Sequence, residues 1–119
     1  MAFNAFDGVK LSADESQLFV DGHSNDDFKC SSVEVAVISV KDDDKRLQAS
    51  VEGSPLLPTT WSVPLDQSDL PEGTRFGDGE LVYVVGVALS ESGERFVWGG
   101  VTASDGTIAI PTQVSLKEP

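Results

Sequence analysis

Residues 81–89 read Leu-Val-Tyr-Val-Val-Gly-Val-Ala-Leu and carry no charge. β-branched and aromatic residues dominate the run, and its length suits a strand. A membrane-spanning helix would need about 20 apolar residues. Successive strand side chains point to opposite faces. Leu81, Tyr83, Val85, Val87 and Leu89 therefore share one face, and Val82, Val84, Gly86 and Ala88 share the other. Both faces are apolar. An antiparallel sheet that meets water on one side alternates apolar with polar, so this stretch predicts a strand covered on both sides.

The same pattern spreads outward along the chain. Ser32 to Val40 predicts a second long strand, with Val33, Val35 and Val37 on one face and Ala36, Ile38 and Val40 on the other. Leu47 to Glu52 alternates as a strand, and Asp42-Asp43-Asp44 before it has the turn chemistry of a hairpin tip. Gln17 to Val20 predicts a short strand ending at Asp21-Gly22. Pro55 and Pro58 mark a loop. Trp61 to Leu65 then predicts a strand, which Pro64 assigns to a sheet edge. Residues 66–79 are rich in turn formers. Ser90 to Gly93 reads as a hairpin loop, with Gly93 supplying a positive φ. Glu94 to Trp98 is the return strand, Gly99-Gly100 a bend, and Val101 to Ala103 and Thr107 to Ile110 flank a turn at Ser104-Asp105-Gly106. The sum is an all-β chain of seven to eight strands, the sequence picture of an antiparallel β-sandwich or a barrel. Residues 17–112 form the predicted sandwich, 1–16 an N-terminal arm able to dock, and 113–119 a C-terminal tail.

The chain has 119 residues, enough for one domain with its own core. Twenty acids against eight bases leave a net charge of −12. That surplus repels phosphate backbones and anionic lipid, which argues against nucleic acid and membrane insertion. Met1 to Gly8 lacks the basic and apolar regions of a signal peptide. The expectation is cytoplasmic synthesis and, for a virion or cell-surface role, arrival without a signal peptide in this chain.

Catalytic chemistry finds little support. His23 is the one histidine and Cys30 the one cysteine, so a thiol or hydroxyl nucleophile has a single available imidazole. His23 sits beside Gly22 and reads as a surface turn residue. One His and one Cys do not supply a zinc ligand set. The candidate calcium clusters are Asp42-Asp43-Asp44 and Asp21 with Asp26-Asp27. Neither follows a dedicated calcium loop, and both read better as solvated acidic loops. The expectation is a non-enzyme without a cofactor or metal.

From Val20 to Trp98 the chain resembles bacterial and phage immunoglobulin-like modules. The likeness rests on Val20-Asp21-Gly22-His23-Ser24, Val33-Glu34-Val35-Ala36-Val37, Trp61-Ser62-Val63-Pro64-Leu65, Leu70-Pro71-Glu72-Gly73 and the strand from Gly79 to Ala88. The paired cysteines of antibody domains are missing, and Glu94-Arg95 replaces the usual ending of the motif. The resemblance implies an immunoglobulin-like sandwich with a structural or adhesive job. It carries over no functional residue.

Two binding modes follow. In the first, an apolar sheet face formed by Ile38, Val40, Val82 and Val84 is covered either by the chain's own N-terminal arm, with Phe3 and Phe6 as anchors, or its C-terminal tail, or else by a protein partner or a second copy. A virion protein, in a capsid decoration or tail, fits this mode. In the second, Trp61 and Trp98 stack on a glycan, as in an adhesin or carbohydrate-binding domain.

Overall fold

A computed structural model describes residues 4–24, 29–77, 79–103 and 116–117. The strands in chain order are β1 (Asn4–Leu11), β2 (Gln17–Ser24), β3 (Cys30–Ser39), β4 (Arg46–Glu52), β5 (Thr60–Asp66), β6 (Leu81–Ser90), β7 (Arg95–Ala103) and β8 (Leu116–Lys117). A 3₁₀ turn, Gln67–Asp69, follows β5. The strands form a three-stranded sheet, β1-β2-β5, and a five-stranded sheet, β4-β3-β6-β7-β8. All pairings are antiparallel. The chain is all-β.

Alternation builds the core. β5 buries every second residue, placing Trp61, Val63 and Leu65 inward, and Leu18 and Val20 do the same from β2. Opposite them, β3 contributes Val33, Val35 and Val37, and β6 contributes Val82, Val84 and Ala88. These residues belong to one cluster with Val9, Leu47, Leu57, Leu70 and Phe76. Burying a valine side chain is worth about 1.5–3 kcal/mol, so the facing valine rows are the main cohesion between the sheets. Pro64 lies on β5, which among the described residues pairs only with β2, so that a missing N–H breaks no ladder.

The larger differences from the sequence expectations concern β1, β2 and β7. Residues 4–11, expected in an arm, form β1 and pair with β2 across a register shift between Phe6 and Gly8. A bulge breaks the period of two, which hides the strand from pattern reading. β2 continues through Asp21-Gly22 to Ser24, because Gly22 pairs with both Phe6 and Trp61. Gly99-Gly100 stays within β7, opposite Val85 and Val84. The turn at 104–106 and the strand at 107–110 lie outside the described residues. The hairpin between β6 and β7 closes with Gly93 at φ +91°, its N–H donating to the Ser90 carbonyl at 3.1 Å.

Adjacent residues on β6 have opposite fates, and this is testable. Val84→Asp places a charge between the sheets without a partner and should cost several kcal/mol. Val85→Asp, on the outer side, should shift stability by about 1 kcal/mol or less. Urea unfolding at low protein concentration measures both, and equal losses would contradict the inward assignment of Val84.

Candidate interaction face

The register assigns each outer position of the five-stranded sheet. Across the strands, Arg46, Ile38 and Tyr83 form one row and Gln48, Ala36 and Val85 the next. Ser50, Glu34, Val87 and Val97 form a third row, and Glu52, Ser32, Leu89 and Arg95 a fourth. Leu81 is 46% exposed, Tyr83 46%, Val85 44% and neighbouring Val40 40%. Val40 donates its N–H to the Leu81 carbonyl at 3.2 Å, which carries the apolar strip one step past β3. A small depression of about 220 Å³ lies between Ser32, Glu34, Val87, Leu89 and Arg95.

Two of the expected face residues fall on the wrong side. Val82 and Val84 are fully buried. They pair with Ser39 and Val37 and point into the core. Ile38 and Val40 belong instead with Leu81, Tyr83 and Val85. With valine on both faces of β6, only the partner strand decides which set is inside. Of the proposed arm anchors, Phe6 lies on β1 of the other sheet, and Phe3 lies outside the described residues. Trp61 is 3% exposed and sits in the core, so it offers no ring face to a sugar. Trp98 occupies β7 opposite Gly86. Cys30 is buried at the start of β3, and His23 is exposed on β2 rather than in a turn.

Among the described residues, charged side chains on the outer face are few and balanced. By register they are Arg46 and Arg95 against Glu34 and Glu52. Gln48 donates to Glu34 at 3.4 Å. The Arg46 guanidinium donates to the Asp43 carbonyl, from Nε at 2.9 Å, which fixes its stem at the sheet margin. Asp42, Asp43 and Asp44 bring their carboxylates within 4.8 Å of one another in an exposed turn. Asp42 there accepts the Asp44 N–H at 3.1 Å, the Asx geometry of a hairpin tip.

One constellation beside this face gave no sequence signal. Lys45 and Glu80 form an ion pair at 2.8 Å, and each side chain is 9% exposed. Lys45 Nζ also donates to the Arg75 carbonyl at 2.7 Å and lies 5.1 Å from the Phe76 ring centre. Glu80 accepts from Ser39 Oγ at 2.6 Å and from the Gly77 N–H at 3.0 Å. Burial alone would raise the Glu80 carboxyl. The hydrogen bonds from Lys45, Ser39 and Gly77, with the lysine charge, outweigh it and hold the group below its ordinary range. A second polar knot is close by. Gln67, 1% exposed, donates to the carbonyls of Glu15 at 2.9 Å and Phe76 at 3.2 Å and accepts the Phe76 N–H at 2.6 Å. Glu15 is left-handed at φ +59°, unusual for a residue with a Cβ, and its carbonyl is held by that glutamine. A cleft of about 380 Å³ between Val40, Lys41, Gly77, Gly79, Glu80 and Leu81 joins the Lys45–Glu80 pair to the apolar strip.

Comparison of the chain with protein-family models, with curated proteins and with solved structures finds no match in any of the three. No helix among the described residues is long and apolar enough to cross a membrane.

Removing one partner of a buried pair strands the other, at a cost of about 3–5 kcal/mol. Lys45→Met should therefore lower the urea midpoint strongly, and Lys45→Met with Glu80→Leu should recover most of the loss. The pH dependence has a fixed sign. A carboxyl depressed in the folded state gives its full contribution above the unfolded value, about 4.3 for glutamate, and loses it as pH falls through the folded value. Stability should fall on acidification from that point, and Glu80→Gln should flatten this part of the profile.

Proposed function

We propose that this chain is a non-catalytic interaction module of a surface assembly, a virion component of the capsid-decoration or tail type, which docks through the outer face of its five-stranded sheet. The observation that carries the reading is the exposed strip of Leu81, Tyr83, Val85 and Val40 on strands whose opposite sides already fill the core. A sandwich needs one apolar side per sheet to fold. The second apolar side contributes nothing to that core, and large exposed apolar patches mark sites of association. The rigid, hydrogen-bonded strands keep the strip in one shape, so docking orders little backbone.

The fold reading extends to the immunoglobulin-like class. Its support is the strand order, in which β1-β2-β5 faces β4-β3-β6-β7. Lettered in chain order, strands A, B and E share one sheet, and C, F and G share the other, as in the immunoglobulin arrangement. The fourth strand pairs with β3 instead of joining the first sheet. Valine and leucine packing stands where antibody domains place a disulfide, since the sequence has one cysteine. The burial of Trp61 withdraws one of the two candidate rings from a glycan, so the sheet face is preferred over carbohydrate binding.

Fractionation of source cells on a density gradient tests the role. The chain should travel with a high-molecular-mass particle fraction, and Val85→Lys, with its fold retained, should move it to the soluble fractions. A wild-type chain found only in the soluble fractions would overturn the reading.

A further inference from the structure

We infer that the outer face of the five-stranded sheet is covered by the same face of a second copy of this chain. The inference rests on the proposed docking role and names its partner.

Charge carries the choice of occupant. The whole chain has a net charge of −12, and two such molecules repel at long range. The charged positions that the register places on this face are Arg46 and Arg95 against Glu34 and Glu52, and they cancel. Inside the Asp42–Asp44 turn at its margin, this surface meets its own copy without the acidic surplus found elsewhere on the chain. A face selected to bind a basic partner would carry that surplus itself.

The arrangement is also self-complementary. Arg46 lies in the row of Tyr83 and Glu52 in the row of Leu89, at opposite ends of the same strand. Their midpoint on β6 is Gly86. A two-fold axis in the contact plane above Gly86, running across the strands, turns the second copy end for end. Tyr83 of one copy then lies over Leu89 of the other, Val85 over Val87, and Arg46 over Glu52. The last contact occurs twice, as an isologous interface requires. Facing sheets at about 10 Å separation place long side chains within reach of each other.

The footprint sets the size class of the contact. Four strands at about 4.8 Å spacing, each some 9 residues long at about 3.3 Å rise, give a footprint of roughly 600 Å² per copy. The total of roughly 1,200 Å² is at the lower end for specific association. The dimer should be reversible, with a dissociation constant of about 1–100 μM.

Sedimentation velocity on the full chain over a dilution series spanning that range is the test. The wild type should shift from monomer to dimer. Tyr83→Lys should abolish the shift while its urea midpoint stays near that of the wild type. Arg46→Glu and Glu52→Arg should each weaken the dimer roughly tenfold, and the double variant should return to within about threefold of the wild type. A wild type that stays monomeric throughout would overturn the inference. So would a dimer insensitive to Tyr83→Lys, or single charge reversals that the double variant does not rescue. A monomer that still travels with the particle fraction, and loses it on Val85→Lys, assigns the face to a different protein and leaves the docking role standing. A dimer absent from any particle keeps the self-association and removes the role.

Discussion

Contact between the valine rows of β3 and β6 and the inner residues of β2 and β5 is the constraint on which the rest depends. Val33, Val35, Val37, Val82 and Val84 are each 1% exposed or less, and so are Leu18, Val20, Val63 and Leu65 across from them. Protein interiors pack to near-crystalline density, so these short side chains hold the sheets close and fix which side of each strand faces in. Once that is fixed, the period of two forces Leu81, Tyr83 and Val85 outward. The exposed apolar strip thus follows from the core through the geometry of a single strand.

The end of the sandwich where the β1–β2 and β3–β4 turns meet the segment 67–80 is held differently. Phe76 is the meeting point. Its ring is buried, its backbone is bonded to Gln67, and Lys45 lies over it. Gln67 ties in the turn that carries Glu15, and Lys45 with Glu80 ties in the β3–β4 hairpin. Turn-rich segments are usually the loosest parts of a fold. Here, satisfied buried polar groups make one of them a closure.

How much of this was legible in the sequence depends on range. Strands β3 to β6 were readable because their valines alternate with little interruption, and Pro64 correctly marked an edge. β1 was not, because Asp7-Gly8 and the register shift after Phe6 break its period. The outward side of β6 has no local signal, since either set of alternating residues could fill a core, and the structure turns Val82 and Val84 inward against the expectation. Lys45 and Glu80 are 35 positions apart, and nothing local distinguishes that lysine from a solvated one. Pairing across strands, rather than composition, decides each of these cases.

The Lys45–Glu80 pair constrains more than the folded chain. Deleting either charge alone leaves the other in a mostly buried site, so single steps that remove one charge of the pair are costly. Sequences descended from the same ancestor should keep both residues or have exchanged both for apolar ones, with the intermediate rare. The neighbouring acids of the exposed turn at 42–44 are free of that coupling and should drift one at a time.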